Sequence, residues 1–278
     1  MFSHFVSDRL SWFRTNHQFL NYAEVGNHTD YTKAISCSDS SASICMLGNG
    51  SNCLFASKTV KSCILKNKLP KQTIWQADNL LWASSSVPLM LILKECRQRS
   101  LDSFYYLSSV PATVGGAIAM NAGRGRGFDK TIFDFVEQVE FWTPDGQVSL
   151  PKNEIKIEYR STIFLENPDW FISGVLFRFP ISSEVDAENP IAQRVKYSQE
   201  FQDHSGPNCG SVFKESNPRI MGHIRGTKIS GAKYSRKTLN WITNHSKSPR
   251  GVLWLIRLTI FLHFVLRKKC SIEIRVVK

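Results

Sequence analysis

The sequence predicts an α+β fold in which strands are concentrated in the middle of the chain. Residues 134–150 alternate with period two around Pro144-Asp145-Gly146, which is typical of a β-hairpin. Short apolar runs, beginning with Ile44–Leu47, outnumber helical patterns there. The glycine loop after that first run continues into Cys53-Leu54-Phe55, a pattern typical of a strand. A doubly wound Rossmann fold requires its glycine motif to open a helix instead, so we exclude it.

The remaining elements follow in chain order. Apolar spacing over residues 1–24 predicts a helix, and a polar, serine-rich stretch follows to Ser43. Besides the hairpin, the predicted strands are Ile44–Leu47, Val60–Leu65, Thr73–Ala77, Phe171–Phe179 and Ile272–Val277. The predicted helices are Val87–Arg99, Pro190 to about Phe201 with Asn189 as its cap, and Val252–Leu266. The polar, acidic segment Ile181–Asn189 separates two expected domains, residues 1–180 and 181–278.

The chain of 278 residues carries a formal net charge of +12, which favours anionic partners. Neither zinc-ligand spacing nor an RNA-binding signature accompanies the charge, so we expect nucleotides or diphosphates rather than nucleic acid. The seven cysteines form no CxxC pair, which favours a reducing compartment over a disulfide framework. The histidines show no metal-ligand spacing, and we expect no metal.

Two features bear on membranes. The N-terminus lacks a basic region followed by an apolar core, so we expect no signal peptide. The most apolar window, Val252–Leu266, is interrupted by Arg257 and His263 and is shorter than the roughly 20 residues of a spanning helix. We interpret it as a buried amphipathic helix without stable membrane insertion, and association with a membrane surface is the alternative.

The stretch Ser109–Gly123 consists almost entirely of small, uncharged residues. Its paired glycines, Gly115 and Gly116, can adopt turn conformations closed to other residues and allow backbone N–H groups to approach a bulky ligand. The alternative is a tight glycine turn between strands. A second glycine loop, Leu47–Asn52, lies about sixty residues upstream, where turn amides and the side chains of Ser51 and Asn52 could hold a phosphate.

Five motifs in this order resemble the UDP-N-acetylenolpyruvoylglucosamine reductase family, also called UDP-N-acetylmuramate dehydrogenase. They are LGNGSN at 47–52, PATVGGAIAMNAG at 111–123, Tyr159-Arg160-Ser161, Gly210-Ser211-Val212-Phe213-Lys214 and Glu273-Ile274-Arg275. The resemblance extends from about residue 44 to the end of the chain. The short interval between Arg160 and Ser211 resembles the compact form of the family, which lacks an extra tyrosine-bearing loop.

This resemblance implies an FAD-binding region of two α+β subdomains, as in the vanillyl-alcohol-oxidase superfamily, followed by an α+β substrate-binding domain. It implies non-covalent FAD, NADPH as hydride donor and a UDP-sugar substrate. It further implies a monomeric, cytoplasmic oxidoreductase that reduces an enolpyruvyl ether during peptidoglycan precursor synthesis.

The resemblance also implies roles for individual residues. Arg160 would hold the substrate carboxylate and stabilise the enolate, Ser211 would donate a proton, and Glu273 would lie near the enolate. The residues expected to bind FAD are Gly48, Asn49, Gly50, Ser51, Asn52, Pro111, Ala112, Thr113, Gly115, Gly116, Asn121, Ala122 and Gly123. The residues expected to bind substrate are Tyr159, Lys214 and Arg275.

Each catalytic candidate also has a purely structural interpretation. Taken alone, Arg160 could be a surface or ion-pairing arginine, Ser211 a turn serine, and Glu273 an edge-strand carboxylate paired with Arg275. The three lie in separate parts of the chain, and their joint presence argues against a degenerate flavin-binding or basic interaction protein.

Three positions depart from the family pattern. Ala112 replaces a glycine, Thr238 replaces a histidine, and the asparagine after the serine motif is either replaced by Glu215 or displaced to Asn217. A carboxylate beside a diphosphate is unfavourable unless it turns away. These differences predict a divergent member acting on a related nucleotide sugar, or another FAD-dependent oxidoreductase of the same superfamily.

Overall fold

The computed structural model describes residues 2–38, 42–125, 129–182 and 189–278. The chain divides into two compact units, and each unit draws on separate stretches of sequence. The first unit comprises Met1–Phe2, Tyr22–Asn49 and Cys63–Lys196, and the second comprises Ser3–Asn21, Gly50–Ser62 and Tyr197–Lys278.

Strands outnumber helices among the described residues. The strands are β1 (Ser3–Ser7), β2 (His17–Val25), β3 (Ile44–Leu47), β4 (Cys53–Phe55), β5 (Thr59–Asn67), β6 (Thr73–Ala77), β7 (Leu80–Ser84), β8 (Val136–Thr143), β9 (Gly146–Pro151), β10 (Ile157–Glu158), β11 (Ser161–Thr162), β12 (Phe171–Arg178), β13 (Phe213–Glu215), β14 (Lys228–Ile229), β15 (Ala232–Tyr234), β16 (Ile242–Asn244), β17 (Ser271–Ile272) and β18 (Arg275–Val277). The helices are α1 (His28–Ser36), α2 (Leu89–Gln98), α3 (Val114–Ala119), α4 (Ile163–Glu166), α5 (Pro190–Phe201), α6 (Pro218–His223) and α7 (Arg250–Val265).

The first unit contains an antiparallel sheet with the strand order β6-β7-β12-β8-β9. Its central strand, β12, is buried along almost its whole length, which explains why its sequence is a continuous apolar run. The predicted hairpin forms β8 and β9, with Val139 opposite Leu150 and Phe141 opposite Val148. The apolar face of α2 joins this sheet in the largest core of the unit.

A smaller core of the first unit contains α1, β3 and part of β5. Strand β3 pairs in parallel with β5, and Ile44 lies opposite Cys63. The rings of Trp142 and Phe171 stack with centroids 5.2 Å apart, and Tyr31 packs against both. The Tyr31 hydroxyl donates a 2.8 Å hydrogen bond to the carbonyl oxygen of Asp169, so this aromatic cluster is also fixed in orientation.

The second unit is built around α7 and the three-stranded sheet β14-β15-β16. Residues of α7 that include Val252, Leu255 and Ile256 form its buried face. Strands β4 and β18 pair in parallel, with Arg275 opposite Cys53, and β13 pairs antiparallel with β17. The chain after the first glycine loop is therefore joined by backbone hydrogen bonds to the C-terminal residues.

The predicted helix over residues 1–24 is wrong, because this segment contains β1 and β2. In β2 the residues His17, Phe19 and Val25 are buried while Gln18 and Glu24 are exposed, a pattern closer to alternation than to helical spacing. The Phe19 ring meets Phe55 edge-on with centroids 4.9 Å apart. Long-range packing therefore overrides the apolar spacing that favoured a helix.

The other predicted elements are confirmed, with small changes at their ends. The predicted final strand is divided into β17 and β18. The predicted helix over Val252–Leu266 corresponds to α7, although only one of its faces is buried. Residues 183–188 of the predicted linker lie outside the described residues.

Gly50 provides a test of the packing in the second unit. Its φ is +67°, and a Cβ there would lie 2.0 Å from the carbonyl oxygen of Leu10. We expect Gly50→Ala to destabilise the protein by about 3 kcal/mol, lowering the melting temperature by about 5 °C or more in a calorimetric scan. The control is Gly222→Ala, where a Cβ meets no atom within 4 Å. Equal melting temperatures for the two variants would contradict this assignment.

Candidate active site

The central glycine stretch forms a helix, and not the tight turn between strands that the sequence left open as an alternative. Gly115 and Gly116 both lie within α3, and neither has a positive φ. A Cβ on Gly115 would lie 2.9 Å from the Cβ of Ser85, and the Gly115 N–H donates a 2.9 Å hydrogen bond to the Ser85 carbonyl. Gly115 is therefore required because α3 approaches the end of β7 too closely for any side chain.

The structure brings the start of the first glycine loop to the start of α3. A Cβ on Gly48 would lie 2.7 Å from Thr113 Oγ1 and 3.9 Å from the Cα of Gly116. The Asn49 amide donates a 2.7 Å hydrogen bond to the carbonyl oxygen of Pro111. Five predicted cofactor-binding residues from two distant motifs thus lie together in the first unit, and we call them the glycine surface (Gly48, Asn49, Pro111, Thr113 and Gly116).

Two buried polar atoms at or near the glycine surface have no hydrogen-bond partner among the described residues. They are Thr113 Oγ1 and Asn121 Oδ1. The Asn121 amide nitrogen donates to the carbonyl oxygen of Glu158 at 2.9 Å, which fixes the side-chain orientation. Buried polar atoms normally have partners. A polar ligand at the glycine surface would supply them, so the residues present fit a bound dinucleotide such as FAD.

Arg160 lies beside the end of the glycine stretch. It occupies the turn between β10 and β11 with φ = 57°, and its guanidinium donates to the carbonyl oxygens of Asn121 at 3.2 Å and Gly123 at 2.9 Å. The Tyr159 ring centroid is 5.2 Å from the guanidinium carbon. The backbone carbonyls accept part of the donor capacity of the guanidinium and hold its plane, which would orient the remaining N–H groups toward an anion.

Gly123 is required by the same local geometry, because a Cβ there would lie 2.4 Å from the carbonyl oxygen of Lys130. Ala112 occupies the family's glycine position with no positive φ, so an alanine meets no backbone conformation that favours glycine. Its carbonyl oxygen accepts a 3.1 Å hydrogen bond from the N–H of Leu89. The alanine therefore fits the fold of this chain without strain.

The remainder of the first glycine loop belongs to the second unit. There the Asn52 amide donates to the carbonyl oxygen of Glu273 at 3.2 Å, and the Arg275 N–H donates to the Asn52 carbonyl at 2.8 Å. Gly50 accepts a 3.1 Å hydrogen bond from the Trp12 N–H. Within this unit, Asn52 thus supports the segment that carries two other candidate residues, Glu273 and Arg275.

Ser211 and Glu273 lie on neighbouring backbone segments of the second unit. The Glu273 N–H donates a 2.8 Å hydrogen bond to the carbonyl oxygen of Val212, next to Ser211. Gly210 precedes the serine with φ = 72°, so the chain turns sharply there. Both candidate side chains are half-buried, as are those of Lys214 and Arg275.

The structure bears on the departures near Ser211. The Asn217 side-chain oxygen accepts hydrogen bonds from the N–H groups of Arg219 and Ile220, and so caps α6. Asn217 therefore has a structural role as a helix cap, and both alternatives for the family's asparagine, Glu215 in β13 and Asn217, stay predictions. Thr238 Oγ1 accepts a 2.9 Å hydrogen bond from the Asp203 N–H, which also makes it part of a turn.

Sequence reasoning missed two supporting residues. Lys66 donates through Nζ to the carbonyl oxygen of Gly48 and so fixes the glycine loop. Asn240 accepts from the Phe213 N–H at 2.8 Å and donates to the Phe213 carbonyl at 2.7 Å, which holds the strand after Ser211. Lys66 is one lysine in a lysine-rich stretch, and Asn240 lies 27 residues from its partner, so neither gave a local signal.

We searched the described residues for side chains that could bind a metal ion. No group of three or more His, Cys, Asp or Glu side chains in the described part of the chain is arranged to hold a metal ion.

Two cysteines near the first glycine loop, Cys53 and Cys209, are buried, and burial raises the pKa of the Cys209 thiol to about 12. That thiol is therefore protonated and unreactive at neutral pH.

Comparison with known proteins relates part of the chain to FAD-binding domains. The FAD binding domain family matches residues 20–149, which include both glycine loops. The UDP-N-acetylenolpyruvoylglucosamine reductase of Syntrophotalea carbinolica is 28% identical over 206 residues, covering 71% of this chain and 67% of the relative. The enzyme of the same name from Pseudothermotoga lettingae is 28% identical over 238 residues, covering 83% and 81%.

A solved structure agrees with these sequence relatives. The UDP-N-acetylenolpyruvylglucosamine reductase of Thermus caldophilus superposes with a TM-score of 0.78 at 20% identity, covering 99% of this chain and all of the other. The family resemblance is confirmed. The α+β FAD-binding fold and the assignment as an oxidoreductase enzyme are confirmed with it. The roles of individual residues stay predictions.

The glycine surface can be tested at Gly116. A Cβ there meets only Thr113 Oγ1, at an ordinary 3.5 Å, so the fold accepts a side chain that would occupy the cofactor's space. We expect Gly116→Val to melt within about 2 °C of the matched helix variant Gly222→Val but to bind no flavin. Flavin absorbance of the purified proteins measures this. A normal flavin spectrum in Gly116→Val would show that α3 does not contact the cofactor.

Proposed function

We propose that the chain binds FAD non-covalently and uses NADPH to reduce the enolpyruvyl group of UDP-N-acetylglucosamine enolpyruvate, which yields UDP-N-acetylmuramate. The observation that carries this proposal is the arrangement in the first unit. There the glycine surface, with its buried, unsatisfied Thr113 oxygen, lies in the same unit as an arginine oriented by the carbonyls of Asn121 and Gly123. The names of the relatives support the substrate assignment.

The glycine surface would hold the cofactor through its backbone. Gly48, Asn49, Thr113 and Gly116 would contact the FAD, and Lys66 would keep the first loop in place through its bond to Gly48. When bound, FAD supplies transfer of a hydride from NADPH to one carbon of the enolpyruvyl double bond. The second carbon must then receive a proton, so that the two electrons and two hydrogens of the reduction balance.

Arg160 would bind the substrate carboxylate. As hydride reaches one carbon, negative charge spreads onto that carboxylate, and a planar, permanently charged guanidinium stabilises it. The two carbonyl acceptors at Asn121 and Gly123 fix the guanidinium before substrate arrives. A preoriented cation lowers the barrier because it needs no reorganisation during the reaction.

Ser211 would donate the proton to the second carbon. A free serine hydroxyl is a weak acid, so its environment must stabilise the alkoxide that remains. Gly210 and Asn240 fix the backbone on either side of this serine. The Glu273 N–H donates a hydrogen bond to the carbonyl oxygen of Val212, the next residue. Lys214 and Arg275 would contribute positive charge for the diphosphate of the substrate.

We further propose that the region up to residue 180 serves mainly the cofactor and residues 181–278 serve the substrate, in a monomeric enzyme of the cytoplasm.

A second candidate is an FAD-dependent oxidoreductase of the same superfamily with another substrate. Glu215 favours it, because its carboxylate is next to Lys214 in β13, where repulsion would weaken diphosphate binding. Anaerobic reduction by NADPH, followed by reoxidation with UDP-N-acetylglucosamine enolpyruvate, separates the two. Flavin that is reduced but is not reoxidised by this substrate would favour the second candidate.

Ser211→Ala tests the proton step. Hydride transfer from NADPH to FAD needs no proton from this serine, so flavin bleaching should keep its wild-type rate. Reoxidation by the enolpyruvyl substrate should slow by about 10²–10⁴-fold, the range expected for loss of a positioned general acid. Stopped-flow absorbance at the flavin band measures both half-reactions. Ser211→Cys should recover part of the loss, and Ser205→Ala, an exposed serine of the same unit, should change neither.

The outcomes for Ser211 have distinct meanings. Equal loss of both half-reactions in Ser211→Ala would give the serine a structural role only. If neither half-reaction changes, the proton comes from another group.

Arg160→Lys tests the oriented guanidinium. Lysine keeps the charge but cannot hold two carbonyl acceptors in one plane while presenting donors to a carboxylate. We expect reoxidation by the enolpyruvyl substrate to slow by about 10²-fold or more with flavin binding retained. Arg178→Lys is the control, because Arg178 is an exposed arginine of the same unit that pairs with Glu137. Wild-type turnover in Arg160→Lys would refute the role of the fork geometry.

A further inference from the structure

Helix α7 has two faces of opposite character. One face is buried in the second unit and includes Val252, Leu255 and Ile256. The imidazole of His263 anchors it, since Nδ1 lies 2.8 Å from the Thr259 carbonyl and Nε2 accepts a 2.8 Å hydrogen bond from the Asn217 N–H. The helix is therefore firmly attached, and its other face is free to make a different contact.

The outer face of α7 is apolar and exposed. Trp254 is 54% exposed, Phe261 60% and Phe264 79%, and the helix continues into Val265 and Leu266 at 56% and 54%. Trp254 and Phe264 are ten residues apart, so the apolar stripe extends over about 15 Å of helix. Large exposed aromatic side chains in one stripe mark an interaction surface rather than ordinary surface composition.

Basic residues surround this stripe, and no acidic residue interrupts it. The segment 250–272 contains no Asp or Glu, whereas Arg257, Arg267, Lys268 and Lys269 are all exposed. The Arg257 guanidinium lies 5.4 Å from the centroid of the Trp254 ring, within the stripe itself. An exposed aromatic helix face with an arginine among its rings and basic residues directly after its C-terminal end is typical of helices that lie in the interface of an anionic bilayer.

The net positive charge of the chain is concentrated in the second unit, which also carries α7. The second unit contains 19 of the 35 Lys and Arg residues but only 5 of the 23 Asp and Glu residues, so the whole positive excess belongs to the unit that carries α7. A partner of complementary charge must therefore be anionic.

We propose that α7 docks on the surface of an anionic lipid bilayer, with Trp254, Phe261 and Phe264 inserted among the headgroups and Arg257, Arg267, Lys268 and Lys269 contacting lipid phosphates. The helix lies on the surface, because within the described part of the chain no helix is both long and apolar enough to cross a bilayer. A second copy of the chain is a weaker occupant. Pairing of two α7 faces across a two-fold axis would bring these like charges together.

Vesicle flotation tests the proposal with two lipid mixtures, phosphatidylcholine alone and phosphatidylcholine with about one-third phosphatidylglycerol. We expect the full chain to float with the anionic vesicles at low salt and to remain in solution with the neutral ones. The double variant Phe261→Ser/Phe264→Ser should bind anionic vesicles at least about tenfold more weakly. Its matched control is Tyr197→Ser/Phe201→Ser, which removes two exposed aromatic residues from α5 in the same unit and should bind like the wild type.

A charge series separates the electrostatic contribution. Lys268→Gln/Lys269→Gln should weaken binding by about fivefold per lysine, whereas the exposed pair Arg219→Gln/Lys228→Gln should change it little. FAD content and NADPH-driven reduction should be unchanged in Phe261→Ser/Phe264→Ser, which shows that the fold is intact.

Three outcomes would overturn the proposal. The first is a wild-type protein that stays in solution with anionic vesicles, and the second is a Phe261→Ser/Phe264→Ser variant that binds them as well as the wild type. The third is a dimer in sedimentation velocity that requires Phe261 and Phe264, without lipid binding, which would make a second copy the occupant of this face.

Discussion

The contact between the first glycine loop and α3 is possible only because the backbone carries no Cβ at the points of approach. A Cβ on Gly48 would lie 2.7 Å from Thr113 Oγ1, and a Cβ on Gly115 would lie 2.9 Å from the Cβ of Ser85, both closer than a side chain normally allows. This contact places the two motifs of the FAD-binding domain in one surface. The orientation of Arg160 depends on it in turn, because its acceptors, Asn121 and Gly123, end the same stretch.

The first glycine motif serves two parts of the molecule, although it is only six residues long. Gly48 and Asn49 belong to the first unit, where Lys66 and Pro111 hold them. The following residues belong to the second unit, where Asn52 bonds to the backbone of Glu273 and Arg275. The motif therefore spans both units, and its last residue is hydrogen-bonded to the segment that carries the candidate residue Glu273.

Three of the eight non-glycine residues with positive φ in the described part of the chain lie at or beside candidate functional residues. Arg160 has φ = 57°, Asn121 has φ = 41°, and Asn240, which supports the strand after Ser211, has φ = 69°. Each such residue costs free energy, of the order of 1 kcal/mol, that the surrounding hydrogen bonds must offset. The guanidinium bonds of Arg160 and the two side-chain bonds of Asn240 supply that compensation. The same bonds fix the guanidinium of Arg160 and the backbone of the strand after Ser211.

The sequence by itself determined the elements in which apolar residues follow a local pattern. Among these are the β8–β9 hairpin with its alternation, α2 with its helical spacing and β12 with its continuous apolar run. In each of them the pattern agrees with the observed burial. Ordered motifs also predicted the family resemblance. Only the tertiary structure decided that residues 3–7 and 17–25 form strands, since packing of Phe19 on Phe55 outweighs local spacing. The tertiary structure alone showed that Gly115 and Gly116 lie in a helix, because a glycine can adopt a turn but need not do so. Contacts such as Lys66 with Gly48, and the exposure of one face of α7, depend on neighbours distant in sequence.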